Sequence, residues 1–472
     1  MSLHGNTMEL LWEREIPPTA PAFFPLDGDP SDFGTLLALA RNAERNLDRA
    51  GIGPGEGVLL ADSVSVEFYA TVMALLSRGV TVLLVEPFLP LSEIDSIVSK
   101  MNPRLFLASV MGRIWGLRSA AIRRVPTWSS ARSLCSGPVD SNSRKRLQSM
   151  AVPGDHPGVI TFTSGTTGRS KGVVRTHEGL SAQNRAIRIS GGFEQFQKPD
   201  LAIFANLVLA NLGMGRGTVF VPSRWKARHL NRLAHLPPMW RPETLSAGPA
   251  FLSRLMEAGV ARDLRSIHIG GALSDCCDLE KAFDHFGPGT RFLHVYGSSE
   301  AEPVAFSDAR NAVRFSREKG FFQTLFLGKP AQGIETSVSS EGLWVTGDHV
   351  CKRYSGNDDE VLRNKRTDST GRVWHFMGDR VAEDEAGFWY RGRSFQSPFE
   401  FELEQSVYRF MGHSAAFIDR EPGSDRLILR GEGLRSRTPE LLRQFAEIHS
   451  VIETRIVRDR RHRSRIDRGA SR

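Results

Sequence analysis

Residues 161–177 read TFTSGTTGRSKGVVRTH. A β-rich stretch at 158–162 runs into a loop holding Gly165 and Gly168, four hydroxyl side chains (Thr163, Ser164, Thr166 and Thr167) and then Lys171. Glycines let successive backbone N–H groups turn inward and approach an anion closely. Hydroxyls add donors, and a lysine supplies a point charge that can follow a phosphate. The composition is that of a polyphosphate cradle. It is not a Walker A loop, because the GxxxxGK[ST] spacing is absent and Val173 and Val174 predict a strand after the loop, not a helix.

Upstream, the chain alternates helix and strand. Leu36, Leu39, Ala43 and Leu47 recur at helical spacing, and Gly51 stands where a C-terminal cap belongs. Residues 58–61 read as a buried strand, 66–77 as a helix closed by Arg78 and Gly79, and 80–85 as a second buried strand. The polar residues 136–149 read as a loop before the phosphate strand. Strands alternating with helices predict parallel, doubly wound α/β layers. GMGRG at 213–217 lacks the GxGxxG spacing of a dinucleotide loop. At 472 residues the chain exceeds what one hydrophobic core supports, so at least two folding units are expected.

Composition excludes several other classes. Apolar residues make 40% and charged residues 24%, ordinary for a globular protein. Residues 1–18 carry no charged-then-apolar leader, and no apolar run approaches the roughly 18 residues of a membrane span. Neither a secretory signal nor a transmembrane segment is expected. Cys135, Cys276, Cys277 and Cys351 have no CxxC or Cys/His spacing, so no zinc site is expected, and scattered thiols fit a cytoplasmic location. The net charge of +8 raises nucleic acid as a partner, and residues 451–472 hold eight arginines against Glu453, Asp459 and Asp467. Such a tail can meet nucleic acid or an anionic membrane surface. No helix-turn-helix, RNP or zinc-finger pattern accompanies it, so solvated surface charge is the reading and no nucleic-acid partner is expected.

Five further segments follow the phosphate loop in order: IGGALS at 269–274, VYGSSEAEPV at 295–304, GKPAQG at 328–333, MGDRVAEDEAGFWYRGR at 377–393 and RHRSRID at 461–467. The ordered set resembles the adenylate-forming superfamily of acyl-CoA synthetases, luciferases and peptide-synthetase adenylation domains, over about residues 30–470. That resemblance implies an α/β fold. A large N-terminal domain of doubly wound sheets plus a β-barrel-like part would span residues 1–392, and a small, mobile α+β C-terminal domain residues 393–472, hinged at 394–396. It also implies AMP-forming acyl ligase activity, with ATP, Mg²⁺ and a small-molecule carboxylic acid. Thr163, Ser164, Gly165, Thr166, Thr167, Gly168 and Lys171 would hold the β- and γ-phosphates. Gly270, Gly271 and Ala272 would contact adenine, with Tyr296 and Gly297 also on the nucleotide, Ser299 on the α-phosphate and Glu300 on Mg²⁺. Asp379 would accept the ribose hydroxyls, and Arg393 would donate to ribose or phosphate. GKPAQG would be a structural turn.

The chemistry gives these residue types a reason. A carboxylate is a poor electrophile, and its attack on the α-phosphate of ATP gathers negative charge on phosphoryl oxygens. Positioning and electrostatic stabilisation then supply most of the catalysis. FANLVLANLGM at 204–214 stands where relatives line an acyl pocket, without the histidine many of them carry; an apolar run there also fits a core helix or strand. With YGSSEAEPV, the Trp–Tyr pair of GFWYRGR and RHRSRID, it resembles the fatty-acyl-CoA-ligase-like branch that contains olefin β-lactone synthetases. The branch implies an apolar acid and three candidate acceptors: coenzyme A, a carrier-protein thiol, or the substrate's own β-hydroxyl closing a lactone.

Two departures open a further reading. Relatives use a lysine near the C-terminus on the substrate carboxylate and the nucleotide; the matching residue here is Arg465, longer, planar and forked. The small domain is also short, and FQSPFEFELEQ replaces its usual glycine-rich segment. A nucleotide-binding regulator or inactive homologue is the alternative these departures favour.

Overall fold

The computed structural model describes residues 5–12, 15–86, 89–139, 147–164, 170–222, 225–356, 358–421, 423–458, 466–468 and 471. Two large sheets dominate it. In the seven-stranded sheet the order is Tyr354–Ser355, Ser170–Thr176, Pro157–Ser164, Thr81–Val85, Gly57–Ala61, Leu105–Ala108, Thr127–Ser129. The last five run parallel, and the first two are antiparallel additions. The eleven-stranded sheet is parallel from Pro21–Pro25 to Arg291–Ser298 and antiparallel from there through Ala301–Asp308, Phe326–Pro330 and Gly387–Arg393 to Asp379–Asp384.

The doubly wound pattern follows from which faces are apolar. Helices Phe33–Arg49 and Val66–Ser77 lie between the two sheets, where Leu36, Leu47, Tyr69 and Leu75 share a core with Phe23 and Phe220 of one sheet and Val58 and Val82 of the other. Buried residues surround Val66–Ser77, as its apolar composition requires. Its start is fixed by Ser65, whose hydroxyl accepts from Phe68 N at 3.2 Å. Asp32 caps Phe33–Arg49 in the same way, and Gly51 takes the left-handed conformation just past its end (φ +66°). Outer faces are covered separately, by helix Leu91–Met101 on the smaller sheet and by Pro249–Ala258 and Cys276–Phe286 on the larger.

The barrel-like part is an antiparallel sheet ordered Glu335–Val338, Leu343–Thr346, Val373–Phe376, Lys365–Thr367. Its Leu343 and Val345 pack on Val304, Leu327, Val381 and Phe388 of the larger sheet. After residue 393 come helix Pro398–Met411, strands Ala416–Arg420, Leu427–Gly431 and Ile448–Glu453, and helix Thr438–Gln444, around Val407, Leu429, Leu441 and Ile448. GKPAQG is only half a turn. Gly328–Pro330 finishes strand Phe326–Pro330, because Gly328 (φ +86°) bulges beneath the Phe306 carbonyl where no Cβ fits.

Candidate active site

Two paired strands flank the phosphate loop in sequence. Strands Pro157–Ser164 and Ser170–Thr176 pair antiparallel, with Thr163 opposite Lys171 and Ser164 opposite Ser170. Gly165, Thr166, Thr167 and Gly168 lie outside the described residues. The hairpin belongs to the seven-stranded sheet, and Lys171 reaches across to the eleven-stranded one. Its Nζ lies 2.7 Å from Oε1 of Glu300, which sits in the tight turn between Arg291–Ser298 and Ala301–Asp308. Arg175 reinforces the junction, donating to Thr161 Oγ1 at 3.0 Å and to the Ser299 carbonyl at 2.7 Å. Ser299 and Glu300 border a cavity of about 210 Å³ together with Arg175, Glu302 and His349.

Three residues the sequence did not single out complete this junction. The Tyr354 hydroxyl donates to Glu300 Oε1 at 3.2 Å, and its ring centroid lies 4.9 Å from Lys171 Nζ and 4.9 Å from Lys365 Nζ. Lys365 donates to the Cys351 carbonyl and pairs across strands with His375. Burial works against ionising Glu300, but His375, Lys171 and Lys365 outweigh it and hold the carboxyl down, at about 2. Burial and Lys365 push His375 itself to about 3, so at neutral pH it is uncharged and the two ammonium groups carry the effect. Two ammonium groups thus converge on one carboxylate. A polyphosphate arriving here meets positive potential.

The remaining nucleotide candidates, Gly270 excepted, surround a larger cavity of about 610 Å³. Gly271, Ala272, Tyr296, Gly297, Asp379 and Arg393 all line it. Gly270 ends strand Ser266–Gly270, and Gly271 turns the chain with φ +85°. A Cβ at Gly297 would stand 2.8 Å from the Ala301 carbonyl oxygen, so the turn that presents Glu300 needs glycine there. Asp379 and Arg393 are register partners, with Arg393 Nη1 2.9 Å from Asp379 Oδ1. The Tyr296 hydroxyl donates to Oδ2 at 2.7 Å. Each carboxylate oxygen keeps a second lone-pair site, which is what a ribose diol needs. The Asp379 charge holds the Arg393 guanidinium above its usual range, while burial and Asp379 raise the Tyr296 phenol.

Arg465 lies outside the described residues. Arg458 and Ile466, on either side of it in the chain, form a bridge and line the larger cavity with Asp467 and Arg468. FQSPFEFELEQ forms the start of helix Pro398–Met411, closed by a capping box in which Ser397 and Glu400 bond each other's backbone at 3.1 and 2.7 Å. The stretch 204–214 forms helix Ala205–Gly213, whose Val208 and Leu212 sit in the core between the sheets. Neither of the two cavities is lined by it.

No group of three or more metal-type ligands occurs among the described residues, so they contain no protein cage for a divalent ion. Mg²⁺ needs none. It commonly takes one carboxylate and completes its shell with substrate phosphates and water, a pattern that the single buried Glu300 beside the phosphate hairpin fits.

A family model described as AMP-binding enzyme matches residues 15–354. Nonribosomal peptide synthetase 30 of Fusarium vanettenii is 25% identical over 380 residues, 76% of this chain but 6% of that much longer protein. The 4-coumarate–CoA ligase-like 8 of Arabidopsis thaliana is 25% identical over 384 residues, 75% of this chain and 67% of the relative. The crystal structure of ATP-bound MatB from Rhodopseudomonas palustris superposes with a TM-score of 0.79 at 17% identity, covering 99% of this chain and 98% of that one. The match runs through both the Lys171 hairpin and the Glu300 turn: the chain belongs to the AMP-binding enzyme family.

Proposed function

We propose that the chain activates an apolar, fatty-acyl-like carboxylic acid with ATP and passes the acyl group to a thiol such as coenzyme A. In the first half-reaction a carboxylate oxygen bonds to the α-phosphorus, the bond to pyrophosphate breaks, and acyl-AMP forms. In the second, the thiol sulfur attacks the acyl carbonyl, AMP leaves, and the thiol proton passes to solvent. The observation that carries this reading is the cavity of about 610 Å³ with Gly271, Ala272, Asp379 and Arg393 on one lining. Gly271 and Ala272 take adenine, and Asp379 and Arg393 take the ribose. Thr163, Ser164 and Lys171 would hold the β- and γ-phosphates, and Ser299 would contact the α-phosphate. Glu300 would hold Mg²⁺, which, when bound, neutralises charge on the phosphates.

Residues 393–472 form the mobile unit in this reading, with the hinge at 394–396 and Arg465 brought to the reacting carboxylate on closure. A carrier-protein thiol is the second acceptor, favoured by the similarity to a peptide synthetase. Pyrophosphate release across a panel of acids, followed by acyl transfer to coenzyme A or to a carrier protein, tests the proposal. Release that increases with acyl chain length supports it. A thermal shift with ATP but no release with any acid would leave a nucleotide-binding regulator instead.

A further inference from the structure

Between Ser96 and Val139 the chain carries one lysine and six arginines and no aspartate or glutamate, against a net charge of +8 for all 472 residues. At the centre of this stretch lies the short helix Val110–Gly116, directly after strand Leu105–Ala108 of the seven-stranded sheet. The helix is mounted with its small residues inward. A Cβ at Gly112 would fall onto the Ala61 carbonyl oxygen, and one at Gly116 would stand 2.7 Å from the Phe106 ring. Trp115 packs beside them on the outer core of that sheet. At Gly112 and Gly116 no Cβ fits against the sheet, and the aliphatic residues are turned to solvent. Val110 is 75% exposed, Met111 72%, Ile114 53% and Leu117 56%. At 100° per residue Val110, Ile114 and Leu117 form one stripe with Met111 at its side.

Arginines frame the stripe. Arg113 and Arg118 are exposed on its borders, and Arg123 and Arg124 are exposed on the turn Ile122–Arg124 that follows. The acids nearby are already engaged. Asp95 accepts from Ser119 Oγ at 2.5 Å and Ala121 N at 3.0 Å and faces Arg123, while Glu56 pairs with Arg104 at 3.0 Å. Among the described residues no helix is long and apolar enough to cross a membrane, so such a face can only lie on one.

We infer that helix Val110–Gly116 and the arginines around it form a docking face for an anionic lipid bilayer surface. Charge complementarity selects this occupant. Aliphatic side chains enter the headgroup boundary while arginine stems lie along it and keep their guanidinium groups at the phosphates. A nucleic acid would use the arginines and leave four large aliphatic groups exposed. A second copy of the chain, meeting this face through a two-fold axis, would set arginines against arginines. This inference is independent of the acyl substrate.

The test is co-sedimentation of the full chain with vesicles of phosphatidylcholine alone and with about one-third phosphatidylglycerol. Binding is expected only to the second, weakened about tenfold or more by roughly 0.5 M salt. Met111→Ser with Ile114→Ser, and separately Arg118→Gln with Arg124→Gln, should each lower the partition coefficient about tenfold with an unchanged melting temperature, since all four side chains are exposed. No binding to either vesicle overturns the inference. So does equal binding to both, or binding lost only in the arginine variant, which is the behaviour of a phosphate-only partner. A dimer in solution that the Met111/Ile114 variant dissociates, with no vesicle binding, would instead assign the face to a second copy. The salt and lipid dependence of the wild-type chain decides the matter even if a variant fails to fold.

Discussion

Lys171 Nζ lies 2.7 Å from Glu300 Oε1, and this contact, beside that of Arg175 with the Ser299 carbonyl, joins the hairpin of the smaller sheet to the turn of the larger. The two proposed duties of the pair compete for the same atoms. A lysine that follows a phosphate and a carboxylate that serves a cation must first let go of each other. Tyr354 and Lys365 are placed to keep Glu300 ionised when that happens, one through a hydrogen bond and the other through its charge.

Glu300→Gln should therefore separate binding from chemistry. Glutamine keeps an acceptor for Tyr354 and frees Lys171, so the thermal shift given by ATP should persist. Acyl-AMP formation should fall on the order of 10²–10³-fold, the usual cost of removing a group that serves developing charge. ATP–pyrophosphate exchange measures it. An exchange rate equal to wild type would remove Glu300 from the site.

Asp379→Ala and Lys171→Ala should differ in which ligand they weaken. Asp379 is proposed to meet the half of the nucleotide that ATP and AMP share, so its loss should weaken both by about tenfold or more, the scale of a charged hydrogen-bonded contact. Lys171 is proposed to meet phosphates that AMP lacks, so its loss should weaken ATP alone. Calorimetric titration with each nucleotide distinguishes them. Equal losses for ATP and AMP in both variants would contradict the assigned halves.

The sequence carried the frame of the fold further than it carried the junction. The strands at 58–61 and 80–85 and the helix at 66–77 are legible because apolar runs bounded by glycine have few other uses. Lys365 and His375 are not. Lys365 stands in LRNKRTD, a polar run that reads as solvated, and only cross-strand pairing in the antiparallel sheet brings it inside against Tyr354. FANLVLANLGM is apolar apart from Asn206 and Asn211, so its period could not choose helix or strand, and the structure makes it a helix with Val208 and Leu212 inward. The Ser397–Glu400 capping box is present in the sequence as S-x-x-E and announces a helix.

Stability should fall on mild acidification. Burial pushes His177 and His294 down from 6.5 to about 4, His156 adding to the effect at His177. Between those values these two histidines bind more protons in the unfolded chain than in the folded one, so their contribution to stability rises with pH across that window and is flat above it. The melting temperature should thus decline as pH drops from 6.5 toward about 4. His294→Gln should flatten the decline, because an amide can still meet Ser274 and Thr324 without titrating. A slope identical to wild type in that variant would show that His294 is not among the groups responsible.

Arg465 stands where the resemblance to the adenylate-forming superfamily implies a lysine. The described residues on its flanks, Arg458 and Ile466, line the larger cavity with Asp379 and Arg393. If it serves there, Arg465→Ala should slow acyl-AMP formation about 10²-fold or more, the scale of losing one charge-stabilising group, and leave transfer from preformed acyl-AMP nearly intact. The asymmetry arises because the cation would neutralise the attacking carboxylate only before the small unit turns. Arg465→Lys should keep or raise the rate, since a compact ammonium fits a site shaped for one. Equal single-turnover rates for wild type and both variants would make residues 461–467 a basic surface segment, and the catalytic cation would have to be sought among the lysines already at the junction, Lys171 and Lys365.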